Sequence, residues 1–209
     1  MSTETVAGKD VDVIFDARKC IHARFCVTGA PKTFLANVEG PWIRPDATDT
    51  AHLIEVAHAC PSGAVQYRRR DGADEPAPEV NMARLRENGP IAVHAPMTVN
   101  GESIGMRATL CRCGASKNKP YCDGAHTAAG FTATGEPESK TTEMLAARDG
   151  PLTLSPQPNG PLKVEGNLEI CAGSGRVVQR GSTVFLCRCG ASQNKPFCDG
   201  SHKTIGFVG

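Results

Sequence analysis

The chain reads as an α+β protein, with a small N-terminal α+β unit followed by two copies of a mainly β unit. Two observations carry that expectation. Leu110 to Phe131, LCRCGASKNKPYCDGAHTAAGF, recurs almost unchanged as LCRCGASQNKPFCDGSHKTIGF from Leu186 to Phe207. The stretches leading into the copies, IAVHAPMTV, MRATLCRC, PLKVEGNLEI and TVFLCRC, are alternating or β-branched and broken by Asn-Gly and Gly-Ser turn signals, which suits short strands.

In chain order, residues 10–69 form the first unit: strand-like VDVIF, a cysteine loop, a helical run HLIEVAHAC behind a cap at Thr50, and strand-like AVQYRRR. Residues 70–87 are charged and rich in Pro and Ala, and are expected to form a linker ending in a short helix. The repeated units occupy 88–150 and 151–209. Each opens on an echo, Asn88-Gly89-Pro90-Ile91 and Asn159-Gly160-Pro161-Leu162. The echoes lie 71 residues apart and the cysteine motifs 76, so the second copy carries extra residues near Cys171 to Ser182, expected as a hairpin or loop. Units of roughly 60 residues bury little core alone. Packing of the two copies in a pseudo-twofold sandwich is the simplest solution.

A net charge of +1 gives no broad basic field for nucleic acid or anionic membranes. Nowhere do eighteen apolar residues run together. The start, MSTETVAGKDVDVIF, lacks a basic segment followed by an apolar run, so a soluble cytoplasmic protein is expected. Ten cysteines in such a chain point to metal rather than to disulfides.

Each copy spaces its ligands as C-x-C-x8-C-x3-H: Cys111, Cys113, Cys122 and His126, then Cys187, Cys189, Cys198 and His202. On extended backbone the residue inside C-x-C, Arg112 or Arg188, points away while both thiolates approach one metal. Asp123 and Asp199 suggest helix caps, which places each histidine in a first turn close to the third cysteine, with the helix N-terminus towards the site. The ligand set alone serves zinc equally well.

The strings CRCGASKNKPYCDGAH and CRCGASQNKPFCDGSH resemble the CDGSH iron-sulfur domain of the mitoNEET family. The second copy holds Cys-Asp-Gly-Ser-His itself and the first has Ala125 for Ser. The Lys-Pro steps 119–120 and 195–196 and the Gly-Phe pairs 130–131 and 206–207 also match. The resemblance implies a [2Fe-2S] cluster in each copy, one iron on the two cysteines of C-x-C and the other on the third cysteine and the histidine. It also implies a mainly β pseudo-twofold cradle built by the two copies of one chain, so that a monomer suffices. Imidazole in place of thiolate raises the potential relative to four cysteines. Its protonation should place both potential and cluster retention under proton control.

Upstream, Cys20, Cys26 and Cys60-Pro61 resemble a divergent single-cluster bacterial ferredoxin in which Ala23 stands at the middle ligand position. Three cysteines suit [3Fe-4S]; alternatively His22 completes [4Fe-4S], or the domain keeps its cysteines without holding a cluster. His52, His58 and His94 are expected in ordinary structural roles and Cys171 as a buried thiol. Arg68 to Arg70 read as a solvated strand end or as a docking patch for an acidic redox partner.

No phosphate-binding loop, dinucleotide fingerprint or nucleophile elbow occurs, so no enzymatic activity is expected. The expected roles are electron transfer or redox and pH sensing with a redox partner protein. The alternatives are storage or donation of clusters to an apo-protein acceptor, or a zinc-stapled interaction module.

Overall fold

The structure, a computed structural model, describes residues 3–73 and 75–209. The chain divides into two compact units, Met1–Pro76 and Ala77–Gly209. Strands dominate and helices are few and short, an α+β composition.

In the first unit an antiparallel sheet runs in the order β1 (Thr3–Val6), β2 (Val11–Asp16), β3 (Val65–Arg69). Val11, Val13 and Val65 pack against Leu53, Val56 and Ala57 of α2 (Thr50–His58), around the fully buried Phe34. Asp49 caps α2, its Oδ1 accepting the His52 N–H at 2.9 Å. The cap is therefore one residue earlier than Thr50, because a carboxylate satisfies an orphan helix donor better than the next hydroxyl in line. A second helix, α1 (Phe25–Gly29), follows the cysteine loop. Arg68 and Arg70 both pair with the buried carboxylate of Asp12, at 3.0 and 2.7 Å, and Arg69 pairs with Asp71.

The second unit is one six-stranded sheet, β4 (Met82–Leu85), β5 (Ile91–Val99), β6 (Glu102–Leu110), β7 (Leu152–Pro156), β8 (Leu162–Cys171) and β9 (Val177–Leu186). Met82–Leu85, where a linker helix was expected, is a strand, because Ala83 and Leu85 alternate into the core with period two. The pairings repeat. β5 and β6 form one antiparallel hairpin, β8 and β9 another. β4 runs antiparallel to the first half of β5 and parallel to the second half of β8. β7 runs antiparallel to the first half of β8 and parallel to the second half of β5. Each copy thus lends a short strand that bridges both hairpins. Leu85, Ile91, Leu110, Leu152, Leu154, Leu162 and Ile170 fill the common core. The extra residues of the second copy lie in the β8–β9 connection, 172–176, where the first copy needs only Asn100-Gly101.

Candidate metal centres

Both C-x-C motifs follow directly from hairpin strands. After β6 the chain turns at Lys119-Pro120 and runs back beside its own end, pairing Leu110 with Tyr121. The Cys111 N–H donates to Pro120 O at 2.8 Å and the Cys122 N–H to Thr109 O at 2.9 Å, which fixes the third cysteine beside the first. The second copy repeats this with Leu186 opposite Phe197, Cys187 N–H to Pro196 O at 2.8 Å and Cys198 N–H to Phe185 O at 2.9 Å. Ser116 and Ser192, both buried, tie the loops by donating to Tyr121 O and Phe197 O.

The ligands arrive in pairs. Cys111 and Cys113 Sγ lie 3.7 Å apart, and Cys122 Sγ lies 3.5 Å from His126 Nδ1. In the second copy the separations are 3.6 Å for Cys187 and Cys189 and 3.3 Å for Cys198 and His202 Nδ1. Two donors on one tetrahedral metal with bonds of about 2.0–2.3 Å stand roughly 3.3–3.8 Å apart, so each pair is spaced for one metal. Among the described residues no three Cys, His, Asp or Glu side chains converge on a point where a single ion could sit.

Each histidine is the second residue of a single-turn helix, α3 (Ala125–Ala128) or α4 (Ser201–Thr204). The N-cap is Gly124 or Gly200 in a left-handed conformation, not the aspartate before it. Asp123 and Asp199 still take the Ala125 and Ser201 N–H groups at 3.0 Å, and the Lys117 and Gln193 N–H groups on their other oxygens. One turn sums few peptide dipoles, so the carboxylate turn rather than a macrodipole sets the histidine's position. The Ser201 hydroxyl and N–H, with the Gln193 N–H, hold Asp199 below the usual carboxylate range.

The donor chemistry fits a metal. Hydrogen bonding to Cys113 and burial push the Cys111 thiol up, while the same hydrogen bond holds Cys113 down. Burial pushes Cys122 and Cys189 up as well. Such thiols become thiolates when a cation replaces their protons.

Arg112 and Arg188 are buried and turn away from the thiolates, as extended backbone requires. What the sequence left unread is their destination. Arg112 donates to Gly89 O at 2.8 Å, Thr134 O at 2.9 Å and Ala133 O at 3.1 Å; Arg188 donates to Gly160 O at 3.0 Å, Gln157 O at 2.6 Å and Gly209 O at 2.8 Å. The Asn-Gly-Pro echoes are the turns these guanidinium groups hold. The two copies also interlock. The Arg112 guanidinium and Lys195 of the other copy lie over the Phe131 ring, and Arg188 and Lys119 lie over Phe207. A Cβ on Gly114 would stand 2.3 Å from Cys189 O, and one on Gly190 2.2 Å from Cys113 O.

In the first unit Cys20, Cys26 and Cys60 line one cavity of about 560 Å³ together with His22 and the apolar Phe15, Val27, Trp42 and Val65. Cys20 follows a single turn at Ala17–Lys19, Cys26 sits in α1, and Cys60 follows the end of α2. The Val65 N–H points at Cys60 Sγ, 3.5 Å away. Burial, and then the neighbouring Cys60 and Cys20, push the Cys26 thiol up. His52 bonds Gly29 O and His58 bonds the Tyr67 hydroxyl, each at 2.9 Å, and Cys171 is a buried thiol on β8, pushed up by burial and by the nearby Glu169 carboxylate.

The sequence profile described as "Iron-binding zinc finger CDGSH type" matches residues 88–127 and again 159–203. The chain carries two CDGSH domains. Residues 6–70 match the profile described as "Divergent 4Fe-4S mono-cluster". Over 63 residues the chain is 41% identical to the protein YjdI of Escherichia coli K12, covering 30% of this chain and 82% of that one. It is 34% identical over 65 residues to the CDGSH iron-sulfur domain-containing protein 1 of Bos taurus, which is 31% of this chain and 58% of the relative. It is 48% identical over 44 residues to the CDGSH iron-sulfur domain-containing protein 2 homolog of Drosophila ananassae, 20% of this chain and 33% of the relative. The chain is thus similar to CDGSH iron-sulfur proteins, and it spans only 58% and 33% of the length of those two relatives. Among its described residues no helix is long and apolar enough to cross a membrane.

Proposed function

We propose that this protein binds two [2Fe-2S] clusters, one on Cys111, Cys113, Cys122 and His126 and one on Cys187, Cys189, Cys198 and His202, and that it carries single electrons under proton control without catalysing a reaction of its own. The observation that carries the reading is the pairing of ligands at each site. One zinc ion needs four donors at mutual tetrahedral spacing, whereas two irons bridged by sulfides need two separate pairs. The interleaved β4 and β7 and the reciprocal contacts at Gly114 and Gly190 support a pseudo-twofold cradle in which the two sites abut. The first unit adds a third site at Cys20, Cys26 and Cys60.

Each bound [2Fe-2S] cluster would supply reversible one-electron chemistry. The chain's residues set its terms. Three thiolates and one neutral imidazole leave the site less negative than four thiolates, which favours the reduced state. Held through Nδ1, His126 and His202 would each keep the ring proton on Nε2, and a potential coupled to that proton would fall as pH rises. In mild acid a proton would compete with a bound metal for Nδ1 of His126 and His202, which would weaken retention of the cluster. The partner is then a redox protein that docks and exchanges one electron, in the cytoplasm, with no nucleic acid or membrane involved.

Potentiometric titration of the purified protein from about pH 6 to 9 tests this: a potential that declines with pH supports it, and a pH-independent potential overturns proton control. Rapid loss of intact clusters to an apo-ferredoxin, faster than electron exchange with a reductase, would replace the carrier with a cluster donor.

A further inference from the structure

The ferredoxin-type unit presents three cysteines to one cavity, and a cubane offers four irons to be ligated. On the reading that this cavity is a cluster site, we infer that His22 is the fourth ligand and that the N-terminal site holds a [4Fe-4S] cluster on Cys20, His22, Cys26 and Cys60.

The cavity wall leaves few other donors. Ala23, midway between Cys20 and Cys26, offers a methyl group. The Ser62 hydroxyl, also on the wall, is 3% exposed and already accepts the Ala64 N–H at 3.3 Å, with Cys60 Sγ 3.7 Å away. Asn37 presents a neutral amide, a weak ligand for iron beside thiolates, and Arg24 is a cation. The imidazole of His22 is the remaining side chain on the wall with the donor chemistry of known cluster ligands.

The backbone places it there. His22 and Arg24 both adopt left-handed conformations, φ 53° and 67°. For residues with a Cβ this is a strained conformation. The two reversals flank Ala23, and Cys20, His22 and Cys26 all line the one cavity within seven residues. In an extended loop His22 would alternate in step with Cys20 and Cys26 on one side only at the expense of spreading them apart. A ligand shared by all three offsets the strain of the two reversals. One imidazole among three thiolates also makes this cluster less negative than an all-cysteine cubane and raises its potential.

The test uses the full chain, reconstituted anaerobically with ⁵⁷Fe and sulfide, desalted, and then mildly oxidised with thionine under anaerobic conditions. Oxidised [2Fe-2S] and [4Fe-4S] clusters are diamagnetic and [3Fe-4S] is paramagnetic, so the two CDGSH sites are silent in the electron paramagnetic resonance of that sample. The inference expects a silent wild type with a four-iron component in its Mössbauer spectrum. His22→Ala should lose about one iron per chain and gain the three-iron resonance, or lose the four-iron component altogether. His22→Cys should keep the four-iron component at a lower potential, which shows that the loop still folds. A His22→Ala protein that stays silent with its four-iron component intact overturns the ligand assignment alone, and so does a wild type that already shows the three-iron resonance. A wild type and a His22→Cys protein with no iron beyond the CDGSH sites overturn the N-terminal cluster and the inference together.

Discussion

At His126 and His202 the ring meets its cysteine partner through Nδ1, at 3.5 and 3.3 Å, so a thiolate introduced at either position reaches the same metal. His126→Cys and His202→Cys should each retain a cluster, lower its potential and remove the pH response of that site, as read by potentiometry at several pH values. A substitution that leaves both properties unchanged would remove that histidine from the ligand set. The pairing of these side chains was legible in the sequence because the motif occurs twice, and chance does not repeat four spaced Cys and His positions. The arginines between the cysteines were half legible. Strand alternation says that Arg112 and Arg188 leave the site, but their carbonyl partners lie 21 to 31 residues away and no local pattern announces them.

Between elements, one of the contacts that join the two copies is backbone on backbone. Gly114 and Gly190 sit at φ +80° and +81°, each facing the carbonyl of a C-x-C cysteine in the other copy, Cys189 or Cys113. Gly114→Ala and Gly190→Ala combine a strained φ with a clash no rotamer relieves. Each should destabilise the unit by about 3 kcal/mol and bleach both clusters, in denaturant unfolding followed by visible absorbance. Bleaching of one site alone would contradict the cradle.

On β8 the carboxylate of Glu169, 2% exposed, takes Arg148 at 2.8 and 3.1 Å and Arg180 at 3.0 Å. The Arg148 guanidinium, then Arg180, outweigh burial and hold its carboxyl below the usual range. A folded-state value below the unfolded value of about 4.3 means that this stability is complete above that pH and lost as pH falls through the folded value. Glu169→Gln should therefore cost about 2 kcal/mol at pH 7, with a deficit that shrinks below about pH 4. An equal deficit at both pH values, in urea titrations of the two proteins side by side, would contradict the pairing. Hairpin strands were readable from their alternation. β4 was not, because the charged, Pro-rich run before it masks four residues whose strand character comes from partners on both hairpins.

For the whole molecule, the order of a small ferredoxin-type unit and then a repeated β unit could be read from the cysteine spacing and the repeat. The exchange of β4 and β7 between hairpins could not, since a parallel pairing between distant segments leaves no periodic signature. Two paired-ligand sites that share a backbone contact make one object of the two CDGSH motifs, and the account stands or falls on what those sites hold. Iron, acid-labile sulfide and zinc should be counted on one freshly purified sample beside its visible spectrum. The account predicts a red-brown protein with about four irons and four sulfides per chain from the CDGSH sites, plus about four irons more when the N-terminal site is filled. A colourless protein with about two zincs and no sulfide would contradict it, leaving a zinc-stapled interaction module.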